Sequence, residues 1–120
     1  MAIIEGTNYA KREKSMLRIT LPDGEDGEKT ISILPPTKGV HDALMSLALA
    51  LEQVDGGEMD ENDFDLEKAV YAVAKAMSRN AEHVTITPDD LESMGFDIED
   101  VGDFIGSYLF FISELVKGKN

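Results

Sequence analysis

The fold turns on Met16-Leu17-Arg18-Ile19-Thr20-Leu21-Pro22-Asp23-Gly24-Glu25-Asp26-Gly27-Glu28-Lys29-Thr30-Ile31-Ser32-Ile33-Leu34-Pro35-Pro36-Thr37. Leu17, Ile19 and Leu21 alternate with Arg18 and Thr20, and Thr30-Ile31-Ser32-Ile33 alternates again. A period of two marks a strand with one buried face. Between the two runs, Pro22-Asp23-Gly24 and Asp26-Gly27 carry turn chemistry, because proline presets φ and glycine reaches conformations that side chains avoid. The stretch predicts a two-stranded hairpin with Leu17, Ile19, Leu21, Ile31 and Ile33 on one apolar face. An isolated hairpin is marginal in water, so that face must rest on helices. Pro35-Pro36 ends the second strand, since proline cannot donate to a ladder.

Downstream the period changes to that of a helix. Thr37 is placed to cap a helix over residues 38 to about 53, with Val40, Leu44, Leu47, Ala48 and Leu51 on one face and Met45 and Leu49 on the opposite one. A helix apolar on both sides is either central in its domain or turned toward a partner. Residues 54–63 read as an acidic loop with Gly56-Gly57, after which Asp63 or Asp65 can cap a second helix running to about Asn80. Its stripe is Leu66, Ala69, Val70, Val73 and Met77. Val84 and Ile86 flank Thr85 in a short extended piece. Thr87 then fits an N-cap, Pro88 the first helical position and Asp90 the third site of a capping box. Gly95 closes that short helix, and Asp97 opens the last one. Upstream, residues 1–15 are polar and mixed, with Lys11, Arg12 and Lys14 close together, and read as a mobile N-terminal arm. The expectation is a single α+β domain over residues 16–120, its hairpin packed on a bundle of about four helices.

Composition excludes several classes of function. The 120 residues are 42% hydrophobic and 29% charged, an ordinary folding composition, and no apolar run approaches the roughly 18 residues that a membrane span needs. The first fifteen residues lack the apolar core of a signal peptide. There is no cysteine, which removes disulfides, thiolate metal sites and cysteine nucleophiles and makes the cytoplasm the default address. A net charge of −13 repels nucleic-acid phosphate and anionic membranes. The same charge serves solubility, the imitation of a nucleic acid, or pairing with a basic partner.

No motif carries chemistry. The acidic loop invites a calcium reading, but every frame fails the EF-hand pattern of oxygen ligands, central glycine and final glutamate. A start at Asp55 puts Met59 at the fifth position, a start at Asp60 puts Phe64 there, and a start at Asp63 puts Lys68 where glycine belongs. His41 and His83 share no ligand spacing, and phosphate loops, nucleophile elbows and zinc-protease motifs are absent. The expected protein is not an enzyme and holds neither metal nor cofactor.

The last helix is more specific. At 100° per residue, Val101, Phe104, Ile105, Tyr108, Ile112, Leu115 and Val116 share one broad face, and Phe110 points away from it beside Gly102, Gly106 and Ser113. Small residues there let another backbone approach. Either a neighbouring helix of the same domain fills that groove or a partner does. Met45, Leu49, Gly102, Gly106 and Phe110 are therefore the candidate partner-binding residues.

The order of parts resembles a known family. Met16 to Leu21, an acidic glycine turn, and Thr30 to Thr37 lead into a helix; then come Ala76-Met77-Ser78-Arg79-Asn80 and Ile86-Thr87-Pro88-Asp89-Asp90-Leu91. Tyr108, Phe111-Ile112-Ser113-Glu114-Leu115 and a terminal Lys119-Asn120 close the chain. This resembles the tail assembly chaperones of long-tailed (siphovirus-type) bacteriophages of Gram-positive hosts, over residues 16–120. The resemblance implies a small, acidic, mainly helical phage or prophage protein of the host cytoplasm. It would coat the tape measure protein before the tail tube polymerises, with the tail tube protein and self-association as further contacts. It implies no catalytic residues. The rival expectation is an acidic mimic of DNA that blocks a DNA-binding protein. A mimic needs ordered rows of carboxylates and little exposed apolar area; a chaperone needs an exposed apolar groove.

Overall fold

The computed structural model describes the backbone at residues 3–9, 15–23 and 27–118, and side chains at 16–22 and 27–115. The protein is α+β. Its order is β1 (Ile3–Tyr9), β2 (Ser15–Asp23), β3 (Gly27–Ile33), α1 (Lys38–Asp55), a 3-10 turn (Glu61–Asp63), α2 (Leu66–Met77), α3 (Pro88–Ser93) and α4 (Ile98–Gly118). The hairpin β2–β3 forms in the register its pattern requires, with Leu17 opposite Ile33 and Ile19 opposite Ile31. Leu17, Ile19, Leu21, Ile31 and Ile33 are all fully buried on one face.

The sheet has one strand more than the sequence pattern announces. Ile3–Tyr9, within the segment read as an arm, pairs antiparallel with β2 and makes the order β1-β2-β3. Ile3, Ile4, Thr7 and Tyr9 favour strands, and the outer edge of β2 would otherwise present unpaired backbone groups. The register slips between Ile4 and Gly6, a bulge that inserts one residue and breaks the alternation a reader looks for. Residues 1–2 and 10–14 of that expected arm lie outside the described residues.

Each helix starts where a side chain satisfies its free N–H groups. Thr37 accepts from Val40 N and opens α1. Asp65, rather than Asp63, caps α2 through Lys68 N, while Asp63 ends the 3-10 turn. At α3, Thr87 Oγ1 accepts from Asp90 N at 3.1 Å and Asp90 Oδ2 accepts from Thr87 N at 2.9 Å, the full capping box. Gly95 follows with φ +75, a conformation that favours glycine. Asp97 and Asp100 repeat the reciprocal arrangement at the start of α4.

The sheet is backed by α4 and α2. Val40, Leu44 and Leu47 belong to the same core, but α1 packs chiefly on α2 and α4 and lies one layer further out than a helix resting on the hairpin. The core face of α4 carries Val101, Phe104, Ile105, Tyr108 and Phe111, with Phe104 and Tyr108 stacked at 5.3 Å between ring centroids. The Val116 side chain, expected on that face, lies outside the described residues.

The segment after α2 has no regular structure at Val84–Ile86, yet it is closely tied. Asn80, buried, donates Nδ2 to Met77 O at 2.7 Å and to Val84 O at 2.8 Å, and accepts Val84 N on Oδ1 at 2.9 Å. Leu34 N donates to Arg79 O, Ala81 N to Ser32 O, and Ser32 N to Glu82 Oε1 at 2.7 Å. These bonds fasten the end of β3 to the end of α2.

Candidate partner-binding surface

The five residues singled out from the sequence all lie toward solvent. Leu49 is 59% exposed, Phe110 58% and Met45 40%, while Gly106 is exposed and Gly102 half-buried. A Cβ added at Gly102 or Gly106 would meet nothing within 4 Å, so no described residue fills the groove beside Phe110. The helix geometry explains the exposure. Phe104, Tyr108 and Phe111 take the buried face of α4, and Phe110 falls on the opposite side.

The five do not form one described cavity. Gly102 lines a hollow of about 480 Å³ between the end of α1 and the start of α4, with Leu51, Val54, Asp55, Ile98 and Asp100. Met45, Leu49, Gly106 and Phe110 are not part of its wall.

A second hollow escaped the sequence reading. It lies between α1 and α2, encloses about 470 Å³ and is lined by Ala43, Ser46, Leu47, Ala50, Met59, Asp63, Phe64, Asp65, Lys68 and Ala72. The signal was the small residues Ala43, Ser46 and Ala50 at spacings of three and four on α1, which leave room instead of filling it. Next to it, Asp65 and Lys68 also line a depression of about 450 Å³ with Tyr71 and Pro88, where Tyr71 is 60% exposed.

Electrostatics around this surface are one-sided. The loop over residues 56–65 holds Glu58, Asp60, Glu61, Asp63 and Asp65 and no base. Asp60 and Asp65 accept backbone N–H groups, but no described cation pairs with any of the five. The ion pair Lys38–Asp42, at 2.9 Å, is exposed; hydrogen bonding to Asp42 raises the lysine pKa, and hydrogen bonding to Lys38 lowers that of Asp42. Such a pair contributes little to stability. Among the described residues no group of His, Asp and Glu side chains has metal-holding geometry. His41 lies beside Asp42, and His83 is exposed on a backbone with φ 59; the two are not brought together by any described contact.

Three titratable groups, Asp97 before α4 and Asp100 and Tyr108 on it, are perturbed by burial or by backbone bonding. Burial pushes the Asp100 carboxyl up, whereas the Asp100 N–H holds its partner Asp97 below the usual carboxylate range. Burial also pushes the Tyr108 phenol up, and its hydroxyl has no hydrogen-bond partner among the described residues. Asp100 lines the hollow between α1 and α4, whereas Tyr108 lines none of the hollows described above. No described helix is long and apolar enough to cross a membrane. Comparison with protein-family models, curated proteins and solved structures finds no match for this chain.

Proposed function

We propose that the protein is a tail assembly chaperone of a long-tailed phage or prophage, a non-enzymatic binder that holds the tape measure protein in the host cytoplasm. One observation carries the reading: a chain of net charge −13 leaves Leu49, Phe110 and Met45 in water on two of its long helices. Apolar side chains cover a helical client, and the charge keeps the complex dispersed. The tail tube protein is a second client on this reading. The exposed apolar side chains weigh against the rival reading of a DNA mimic, which needs a surface poor in them.

The test pairs binding with stability. Phe110 and Leu49 are already more than half exposed, so Phe110→Ser and Leu49→Ser should each change stability by no more than about 0.5 kcal/mol. If a client buries them, each contributes roughly 1.5–3 kcal/mol, a tenfold to hundredfold loss of affinity on substitution. Thermal melting and co-purification with the tape measure protein measure the two quantities. Unchanged co-purification with normally folded variants would refute the assignment of these residues. Failure of the unsubstituted protein to bind would refute the chaperone reading itself.

A further inference from the structure

We infer that the hollow between α1 and α2 docks a basic amphipathic helix of a partner protein. One apolar side chain of that helix sits on Leu47 and Phe64, and its Lys or Arg residues face the loop of residues 56–65. The inference rests on reading the protein as a binder of helical segments, and it adds where such a segment lies and what chemistry it has.

Three observations converge on this occupant. The floor is apolar, with Leu47 and Phe64 buried and Met59 half-buried, and the volume of about 470 Å³ falls in the range of ligand pockets, roughly 300–1,000 Å³. The walls are two helices, and the small residues Ala43 and Ala50 leave the trough between them open along α1. Asp65 and Lys68 line both that hollow and the depression at exposed Tyr71, so the two lie side by side on the α2 flank, and a cleft walled by two helices suits a third helix laid against them. The charge is complementary to a cation. Asp63 and Asp65 line the hollow, Glu58, Asp60 and Glu61 stand in the same loop, and none has a described cationic partner. Lys68 is the single base in the lining. Unpaired carboxylates around an apolar floor reject anionic partners and favour a segment that brings both an apolar anchor and positive charge.

The experiment uses the whole chain and synthetic peptides of about 20 residues. One is an amphipathic helix with Leu and Phe at spacings of three and four and Lys on its flanks. A second has Glu in place of Lys, and a third has Ser in place of Leu and Phe. Methyl and amide NMR of the protein reads the site, and titration reads affinity. The basic peptide should shift Leu47, Met59 and Ala72, weaken with added salt, and outbind both controls by about tenfold or more. Ala43→Arg should lower its affinity by a similar factor, because residue 43 is exposed and the new cation closes the mouth of the hollow. Ser46→Arg, also exposed, repeats that test if the first variant folds poorly. The inference is overturned if no peptide shifts these residues, or if the shifts fall only on Leu49 and Phe110. Equal binding by the acidic peptide, or shifts that follow protein concentration without peptide, overturns it too. Tape measure protein that binds wild type and Ala43→Arg alike overturns the inference but leaves the chaperone reading standing. Peptide binding at the hollow without tape measure binding does the reverse.

Discussion

Asn80 fixes the turn after α2 with its side chain, at the point where the backbone meets the end of β3. Its amide is 3% exposed and makes three hydrogen bonds, to Met77 O, Val84 O and Val84 N, while its backbone bridges Ile33. Asn80→Ala removes all three bonds and leaves one N–H and two carbonyls without that partner. At about 1 kcal/mol net per bond, with more for groups left unsatisfied, the loss should be about 3–4 kcal/mol. For a chain of this size that corresponds to a fall in Tm of roughly 12–16 °C. Asn80→Asp separates the donors from the acceptor. Its carboxylate still accepts Val84 N, but at neutral pH it offers no proton to the two carbonyls and sets a charge against them. Burial and those carbonyls would raise the new group's folded pKa above its unfolded value. The stability it contributes is therefore complete below the unfolded pKa and is lost as pH rises through the folded pKa. Chemical denaturation of both variants across pH measures this directly. Asn80→Asp should be the less stable of the two at neutral pH and recover toward the parent in acid, whereas Asn80→Ala should show no such recovery. A loss below about 1 kcal/mol for Asn80→Ala, or an Asp variant indifferent to pH, would show that water or a shifted loop replaces the clamp and that the junction is not held as described.

Two further substitutions test single features. Tyr108→Phe keeps the ring contacts with Phe104 and Phe111 and removes a buried hydroxyl that has no partner among the described residues, so stability should stay level or rise by about 1 kcal/mol. Because the phenol's folded pKa is raised, its contribution is complete below the unfolded value near 10 and is lost as pH rises above it. The variant should therefore unfold less readily in alkali, which a denaturation series at high pH reads. Thr87→Ala removes half of the α3 capping box and should cost about 1 kcal/mol by thermal melting. In the parent, the Thr87 N–H holds the Asp90 pKa below its unfolded value, so the cap is at full strength above that value and weakens as pH falls through the folded one.

What the sequence revealed and what it concealed divide by the range of the interactions. The caps at Thr37, Thr87 and Asp97 were legible because donor and acceptor lie within three residues of each other. The hairpin was legible because its alternation is unbroken. β1 was not, because a one-residue bulge at Glu5 and Gly6 erases the period by which a strand is recognised. Asn80 was readable as the end of a helix, and its side chain bonds locally to Met77 and Val84, but its backbone bridge to Ile33, far away along the chain, left no sign in the sequence. Phe110 was placed correctly opposite the stripe of α4, since helical geometry fixes that from spacing alone. The α1–α2 hollow was missed for a different reason. A sequence search for a groove follows large apolar residues, whereas this groove is made by small ones on α1 and walled by a loop whose path the sequence does not give.

Charge and apolar exposure oppose each other in this protein, and their arrangement limits what can cover its open faces. At physiological ionic strength charges act over about 8 Å, so the field at the α1–α2 hollow is set by the charged groups nearest it, Asp63, Asp65 and Lys68 in its lining with the acidic loop that carries the two aspartates. A second copy would bring the same sign of charge to the contact and would meet repulsion at close range. A basic helix would meet attraction at the same place. Salt therefore moves the two cases in opposite directions. Screening removes the repulsion between copies and lets apolar faces meet, so self-association strengthens with salt. Screening removes the attraction to a basic segment, so that complex weakens with salt. The sign of the salt dependence thus separates the two occupants of the hollow without any substitution, because it follows from which partner supplies the positive charge.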